Sequence, residues 1–391
     1  MGEMLLPRGA LACIVGARPN YMKMAPLVRA FAARKDLPSS VLVHTGQHYD
    51  VAMNEMLFAD LELPRPHLNL EVGSGSHAQQ TAEIMRRFEP VIDELAPSCV
   101  IVVGDVNSTL ACSLVASKKR TPVVHVEAGL RSFDRDMPEE INRILTDQIA
   151  DLLFTTEHAG EENLLHEGIA PERIRFVGNV MIDTLMRHRQ RAVPPHQTLA
   201  RAGIAGDFIH DPAGYGVVTL HRPSNVDEAG PLRDALSILR DVAERLPLIW
   251  PLHPRARRNI ERLGLLPSLA NTRIALLAPQ GYLEMLGLLA NARLVLTDSG
   301  GIQEETTSLA VPCLTLRCNT ERPITVEEGT NTLVGLDRSR ILDCVEDILE
   351  TGGKRGRMPE LWDGCAGERI AEHLAGWLAR RSNLSRELAL A

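Results

Sequence analysis

No run of apolar residues in this chain approaches the ~18 needed to span a membrane, and no charged leader precedes a signal-length apolar segment. Positive charge is also in deficit. The 42 Lys and Arg face 50 Asp and Glu, and the formal charge of −8 excludes a general nucleic-acid or anionic-membrane surface. Any phosphate ligand must therefore meet a local basic cluster. The seven cysteines (Cys13, Cys99, Cys112, Cys313, Cys318, Cys344 and Cys365) form no C-x-x-C pair and no zinc spacing. They read as small buried hydrophobes in a reducing compartment. A cytoplasmic protein with neither a nucleic-acid nor a membrane partner is expected. Several catalytic signatures are missing too: G-x-x-x-x-G-K-[ST], G-x-S-x-G and H-E-x-x-H do not occur. The first βα turn lacks G-x-G-x-x-G, which argues against a nicotinamide or flavin cofactor. No cluster of His, Asp and Glu has metal-ligand spacing, so no cofactor is expected.

What is present is a repeated β-α alternation. At 391 residues the chain is long for one core, and two domains are the natural division. Short apolar runs at 11–15, 41–44, 100–103, 123–126, 152–155 and 175–177 alternate with helical patterns at 23–33, 81–95, 109–117, 139–149 and 160–167. Such alternation indicates a parallel sheet covered by helices on both faces. The pattern lapses over 186–212, a polar stretch with Pro and His that reads as a link. A second series then runs through 216–220, 248–252, 273–277, 294–297, 311–316 and 332–334. The last segment, 366–381, is an amphipathic helix pattern with Trp377 on its apolar side. The Gly-Ser-Gly-Ser stretch at 73–76 is a loop.

The richest local signal is Leu294-Val295-Leu296-Thr297-Asp298-Ser299-Gly300-Gly301-Ile302-Gln303-Glu304-Glu305. A strand ends in a Ser-Gly-Gly turn that opens a helix. Glycines there let backbone N–H groups approach a phosphate, and the helix dipole adds attraction. A Glu one turn further in faces ribose hydroxyls. The stretch reads as a seat for a nucleoside diphosphate. Because Glu304 and Glu305 also suit a helix start electrostatically, at most one is assigned a function.

Ligands of open α/β sheets sit beyond the carboxyl ends of the strands. Polar residues at such ends are Arg18 and the nearby Lys23, Asp105, Glu127, His221 with Arg222, and His253. Two acids, two histidines and a basic loop, spread over two domains, suggest a site in the interdomain cleft. Asp105 equally suits a helix cap, and Glu139, after Pro138, equally suits a first helical turn. Glu127 is harder to explain that way, because an acid at the edge of a core needs a partner. Most remaining histidines read as boundary residues; His44, His48 and His125 are the three that stay open to another role.

Taken together, the motifs resemble the non-hydrolysing UDP-N-acetylglucosamine 2-epimerase family. The matching segments are Gly16-Ala17-Arg18-Pro19 with Lys23-Met24-Ala25-Pro26, Thr45-Gly46-Gln47-His48, Gly104-Asp105, and His125-Val126-Glu127-Ala128-Gly129-Leu130-Arg131. Pro138-Glu139-Glu140-Ile141-Asn142-Arg143, Gly178-Asn179, His221-Arg222, the 298–305 turn and Thr320-Glu321-Arg322-Pro323 follow in family order. The resemblance implies two Rossmann-like domains of glycosyltransferase-B-like architecture, expected at 1–188 and 189–365, with the 366–391 helix joining the first. It implies a UDP-sugar substrate, no added redox cofactor and a homodimer. It makes Asp105, Glu127 and Glu139 the acidic catalytic residues and His221 the catalytic histidine. Arg18, Lys23, Arg143, His253, Ser299, Gly300, Gly301, Glu305 and Arg322 match substrate contacts, and Tyr282 a uracil platform. Two departures bear on regulation: Gln47-His48-Tyr49-Asp50 replaces the Gln-His-Arg-x-Met-Leu of many bacterial members, and the 73–76 loop has no Arg. The Gly-His-Arg-Arg-Glu pattern is reduced to Leu220-His221-Arg222-Pro223. Relatives acting on 2,3-diacetamido uronic-acid sugars share the family pattern.

Overall fold

The computed structural model describes residues 6–46, 57–204 and 208–390. Gln47, His48, Tyr49 and Asp50 lie outside the described residues. Thirteen strands among the described residues form two parallel sheets. The chain divides into two units, one of Met1–Met186 with Glu360–Ala391 and the other of Arg187–Pro359.

The first unit holds β1 (Leu11–Val15), β2 (Ser40–His44), β3 (Leu68–Asn69), β4 (Cys99–Val103), β5 (Val123–Ala128), β6 (Leu152–Thr155) and β7 (Ile174–Phe176). Their order across the sheet is β3-β2-β1-β4-β5-β6-β7. The interior strands β1, β4, β5 and β6 are buried along their whole length, which is why they read as continuous apolar runs rather than alternating ones. β3 escaped the sequence pattern because a two-residue edge strand with one apolar side chain makes no run. One face is covered by the His77–Leu95 helix, whose Ile84, Phe88, Ile92 and Leu95 recur at helical spacing and pack with Ile14, Val100 and Val102. The 73–76 loop ends as that helix's cap: Ser76 Oγ accepts from Gln79 N at 3.3 Å, and Ser76 N donates to Gln79 Oε1 at 3.2 Å.

The second unit holds β8 (Gly216–Thr219), β9 (Leu248–Pro251), β10 (Ile274–Leu277), β11 (Leu294–Thr297), β12 (Cys313–Thr315) and β13 (Asn331–Leu333), ordered β10-β9-β8-β11-β12-β13. Leu232, Leu236, Leu239 and Val242 of the Ala229–Ala243 helix close one face against Val218 and Trp250. Tyr215, Val217, Ile249, Leu288 and Val295 form the other. The 186–212 stretch is not a free link. Its Pro195–Arg201 helix buries Leu199 in that second cluster, and burial of such a side chain is worth about 1.5–3 kcal/mol.

The Ala366–Leu390 helix belongs to the first unit. Asp183 caps its start, accepting from Ala366 N at 3.1 Å and Gly367 N at 2.7 Å. Ile370, Ala371, Leu374 and Ala375 are its buried face. Trp377 is only half-buried, with the Arg381 guanidinium 4.9 Å from its ring centroid. The tryptophan that enters the core is Trp362, whose Nε1 donates to the Thr156 carbonyl at 3.1 Å. No helix among the described residues is long and apolar enough to cross a membrane.

Each sheet has one topological switch point, between β1 and β4 in the first unit and between β8 and β11 in the second. The carboxyl ends of those strands are where a ligand crevice forms.

Candidate active site

At the first switch point the chain leaves β1 through Gly16 and Ala17 and enters the Arg18–Ala32 helix. Asn20 locks this turn. Its Oδ1 accepts from Gly16 N and Ala17 N, at 3.1 and 3.0 Å, and its Nδ2 donates to the Val103 carbonyl at 2.9 Å. One turn on, the buried Lys23 donates from Nζ to Glu127 Oε1 at 2.5 Å. Glu127 is 2% exposed and has φ +70°, a left-handed conformation that costs a residue other than glycine about 1–3 kcal/mol. The β5–β6 register shifts between Val126 and Ala128, so the acid stands on a bulge that turns it out of the strand pattern. Gly104 makes room for the ion pair. With φ +65°, it could carry a Cβ only 2.8 Å from Lys23 Nζ.

Asp105 follows, half-buried, and pairs with Arg143 Nη1. Arg143 is itself buried and chelated by Glu140, with Nη2 and Nε at 2.7 and 3.0 Å from Oε2. Glu140 also accepts from Ser132 N and Phe133 N, at 3.0 and 2.8 Å. Burial opposes its ionisation, yet the Ser132 N–H and the Arg143 guanidinium hold the carboxyl below its ordinary value. Glu139, its neighbour in the first turn of the Pro138–Ile149 helix, is half-buried. Arg18 is half-buried at the first position of its helix.

At the second switch point Asp298, wholly buried at the end of β11, reaches across to β8. Its carboxylate accepts from His221 N at 3.0 Å, Arg222 N at 2.9 Å and Asn225 Nδ2 at 3.2 Å. Oδ1 also lies 2.8 Å from Nδ1 of His221. Burial again opposes ionisation, but the His221 ring and these backbone N–H groups hold Asp298 below the usual carboxylate range. The His221 side chain keeps 37% of its surface exposed and lies 5.5 Å, centroid to centroid, from the His253 ring. His253 caps the Pro254–Arg262 helix, its Nδ1 accepting from Arg255 N at 3.2 Å.

Ser299 is the N-cap of the Gly300–Leu309 helix but makes no side-chain cap bond, and Gly300 and Gly301 form the first turn. Their N–H groups are the orphan donors of a helix start. Beside them Arg322 pairs with Glu321 Oε1 at 2.7 Å and Glu304 Oε1 at 2.8 Å. A Cβ on Gly300 would lie 2.5 Å from Arg322 Nη1 and 2.6 Å from Glu321 Oε1, so only glycine lets the arginine come this close. Glu321 also receives Arg317 at 2.8 Å and Arg222 at 3.4 Å. Buried as it is, the charges of Arg322, Arg317 and Arg222 hold its carboxyl well below the ordinary range. Three guanidiniums thus converge at one helix N-terminus.

The two adjacent acids separate. Glu304 is the arginine partner, and Glu305 lies beside the Tyr282 hydroxyl, whose pKa is raised by burial and by the Glu305 charge. Tyr282 is only 3% exposed, its ring meeting His188 edge-on at 6.0 Å. The ring is almost wholly buried in this structure. Lys23 and Arg143, matched at first to substrate contacts, are engaged with Glu127 and with Asp105 and Glu140. Sequence reasoning assigned no role to Asp298, Glu321, Arg317 or Glu140. Asp298, Glu321 and Glu140 lie inside motifs and Arg317 just ahead of one, but none of them has a local signal for the partner it takes.

The first unit thus carries acids at its switch point, and the second carries a histidine, an arginine cluster and an open helix start suited to an anionic, nucleotide-like ligand. The family model for UDP-N-acetylglucosamine 2-epimerase matches residues 30–375. The chain belongs to that family. It is 42% identical over 367 residues to the UDP-N-acetylglucosamine 2-epimerase of Methanocaldococcus jannaschii, covering 93% of this chain and 98% of the relative. It is 40% identical over 366 residues, with the same coverage, to the UDP-2,3-diacetamido-2,3-dideoxy-D-glucuronate 2-epimerase of Pseudomonas aeruginosa. The crystal structure of the Methanocaldococcus jannaschii enzyme in complex with UDP-GlcNAc and UDP superposes with a TM-score of 0.82 at 40% identity, covering 93% of this chain and 99% of that one. The fold is the glycosyltransferase-B-like arrangement of two parallel-sheet domains.

Proposed function

We propose that this chain interconverts UDP-N-acetylglucosamine and UDP-N-acetylmannosamine by inverting C2. The hydrogen on C2 is not next to a carbonyl, so simple removal and return would be slow. Anti elimination is the accessible route. A carboxylate takes the C2 proton, the C1–C2 double bond forms, and the C1–O bond breaks to release UDP. The resulting 2-acetamidoglucal is protonated at C2 from the opposite face, and UDP re-forms the C1–O bond. Asp105, Glu127 and Glu139 supply the acid and base, and His221 assists as the catalytic histidine. The Ser299–Gly301 helix start and Arg322 stabilise UDP as it departs and hold it for return. Glu305 binds the ribose, and Arg18 and His253 contact the diphosphate. Glucal and UDP must stay bound together until C1–O re-forms.

The observation that carries this proposal is Glu127: a buried acid in a costly left-handed conformation, held against Lys23 at the first switch point. Structural acids rarely justify such strain. A second substrate is supported by the 40% identity to the diacetamido-glucuronate epimerase, nearly equal to that with the Methanocaldococcus enzyme. The product serves as a precursor for surface polysaccharide, and the working form is a cytoplasmic homodimer.

Incubation with UDP-GlcNAc in D2O tests the chemistry. Deuterium at C2 of newly formed UDP-ManNAc is expected. Free ManNAc with stoichiometric UDP instead marks a hydrolysing epimerase. Absence of both exchange and new UDP-sugar overturns the UDP-GlcNAc assignment, and a parallel incubation with the diacetamido-glucuronate substrate decides whether the second applies.

A further inference from the structure

A buried charged pair lies behind the first-unit carboxylates and takes no part in the proton transfers above. His125, in the middle of β5, has no exposed surface. Its Nδ1 lies 2.6 Å from Asp147 Oδ1 and its Nε2 2.9 Å from the Gly104 carbonyl oxygen. Both partners are acceptors, so the ring donates from both nitrogens. Asp147 Oδ2 accepts from Gly129 N at 3.1 Å and lies 2.8 Å from Arg131 Nη2, and Arg131 continues to Glu167 at 2.6 Å. Burial opposes ionisation of Asp147, but the His125 and Arg131 charges keep its carboxyl below the ordinary value.

The backbone atoms these groups hold have a common property. Gly104 immediately precedes Asp105, and Gly129 follows Glu127 by two residues. A second bond, Gly104 N to the Val126 carbonyl at 3.1 Å, closes the same loop from the other side. The strained Glu127 is thus flanked by two anchors that meet in one buried pair. Apolar side chains of similar volume would stabilise a parallel strand at least as well, because desolvating two charges costs several kcal/mol.

We propose that His125 and Asp147 are positioning residues, fixing the Gly104 carbonyl and the Gly129 N–H and thereby the relative placement of the Asp105 and Glu127 carboxylates. This rests on the epimerase function proposed above. Amide side chains separate its two contacts. In His125→Gln the amide nitrogen stands near Nε2 and keeps Gly104. In His125→Asn it stands near Nδ1 and keeps Asp147. His125→Leu keeps neither.

The expected kcat order is wild type, Gln, Asn, Leu, with the leucine variant down by about 10²-fold, the cost of a displacement near 1 Å at a reacting group. KM and UDP affinity stay within about threefold in all three, since every proposed nucleotide contact except Arg18 lies in the other unit and Arg18 touches neither anchor. Asp147→Asn, nearly isosteric, follows the same pattern and serves where the leucine variant fails to fold. Wild-type kcat in all variants overturns the proposal. So does an equal loss in all of them accompanied by lost UDP affinity and lowered Tm, which marks a purely structural pair. Wild type is assayed alongside: a wild-type chain that turns over neither sugar overturns the epimerase function and this proposal together, whereas an active wild type with fully active variants overturns the positioning pair alone.

Discussion

Replacing Asp298 by Asn should switch the tautomer of His221 while leaving the fold in place. The carboxylate takes its bonds unevenly. Oδ2 accepts from Arg222 N at 2.9 Å and Asn225 Nδ2 at 3.2 Å and shares His221 N with Oδ1 at 3.0 Å, whereas Oδ1 faces the His221 ring at 2.8 Å. An asparagine keeps its amide oxygen on the Oδ2 side, where the donors converge, and turns its NH2 toward Nδ1 of His221. A donor there makes Nδ1 an acceptor and moves the ring proton to Nε2, so the working nitrogen offers N–H where the wild type offers a lone pair. Every bond to the former carboxylate loses its charge assistance, a stability loss of about 1 kcal/mol for each bond kept. The rate falls as well: the same exchange in Ser-His-Asp enzymes lowers kcat by about 10⁴, and about 10²–10⁴ is expected here. NMR of the anomeric protons during UDP-GlcNAc turnover gives kcat, calorimetry gives UDP affinity, and a thermal melt gives stability. A kcat within about threefold of wild type, under about 0.7 kcal/mol of barrier, would refute an Asp298-oriented His221.

Glu127→Gln should abolish turnover with UDP affinity nearly intact; a loss of UDP affinity, read by calorimetry, makes Glu127 structural. Glu305→Ala should weaken UDP binding about tenfold before it touches kcat, as expected for one lost bond to a charged group. Unchanged affinity removes the ribose assignment. Gly300→Ala forces a Cβ to 2.5 Å from Arg322 and should cost UDP affinity about 1–3 kcal/mol through displacement of that guanidinium. Tight binding by that variant refutes the close-approach argument. Four buried carboxyls, Glu140, Asp147, Asp298 and Glu321, have folded pKa values below their unfolded ones, so their stabilisation is complete above about pH 4–5 and is lost as pH falls through the folded values. Asp183, raised by burial, works in the opposite sense. A urea midpoint that is flat near neutrality and falls on acidification is expected, and one that rises below about pH 4–5 contradicts the four-to-one balance.

The strands and the Ser-Gly-Gly turn were legible because their signals are local. An interior parallel strand is apolar throughout, and a turn into a helix carries its own residues. What was illegible is azimuth. Glu139 and Glu140 sit about 100° apart on one helix, as do Glu304 and Glu305, since about 3.6 residues make a turn. Nothing in the motif says that Glu140 turns inward to Arg143 and Ser132, or that Glu304 takes Arg322 and leaves Glu305 to Tyr282. Trp377 lies one turn past the buried Leu374 on the same side of its helix and is only half-buried, while Trp362, outside the helix pattern, enters the core.

The long-range pairs have a different logic, and topology supplies it. Lys23 and Glu127 are separated by 104 residues. His221 and Asp298 are separated by 77. Neither pair has a local signal. Yet β1 lies next to β4, with β5 beyond it, and β8 lies next to β11. Adjacent parallel strands run about 4.8 Å apart, so groups leaving their carboxyl ends come within reach whatever their distance along the chain. A polar residue at one strand end is unremarkable. It becomes a candidate for chemistry when its strand flanks the point where strand order reverses, because there the crossing helices part and nothing covers the loops. By that criterion Asp298, at the end of β11 and opposite His221, was a stronger candidate than its reading as part of a turn allowed.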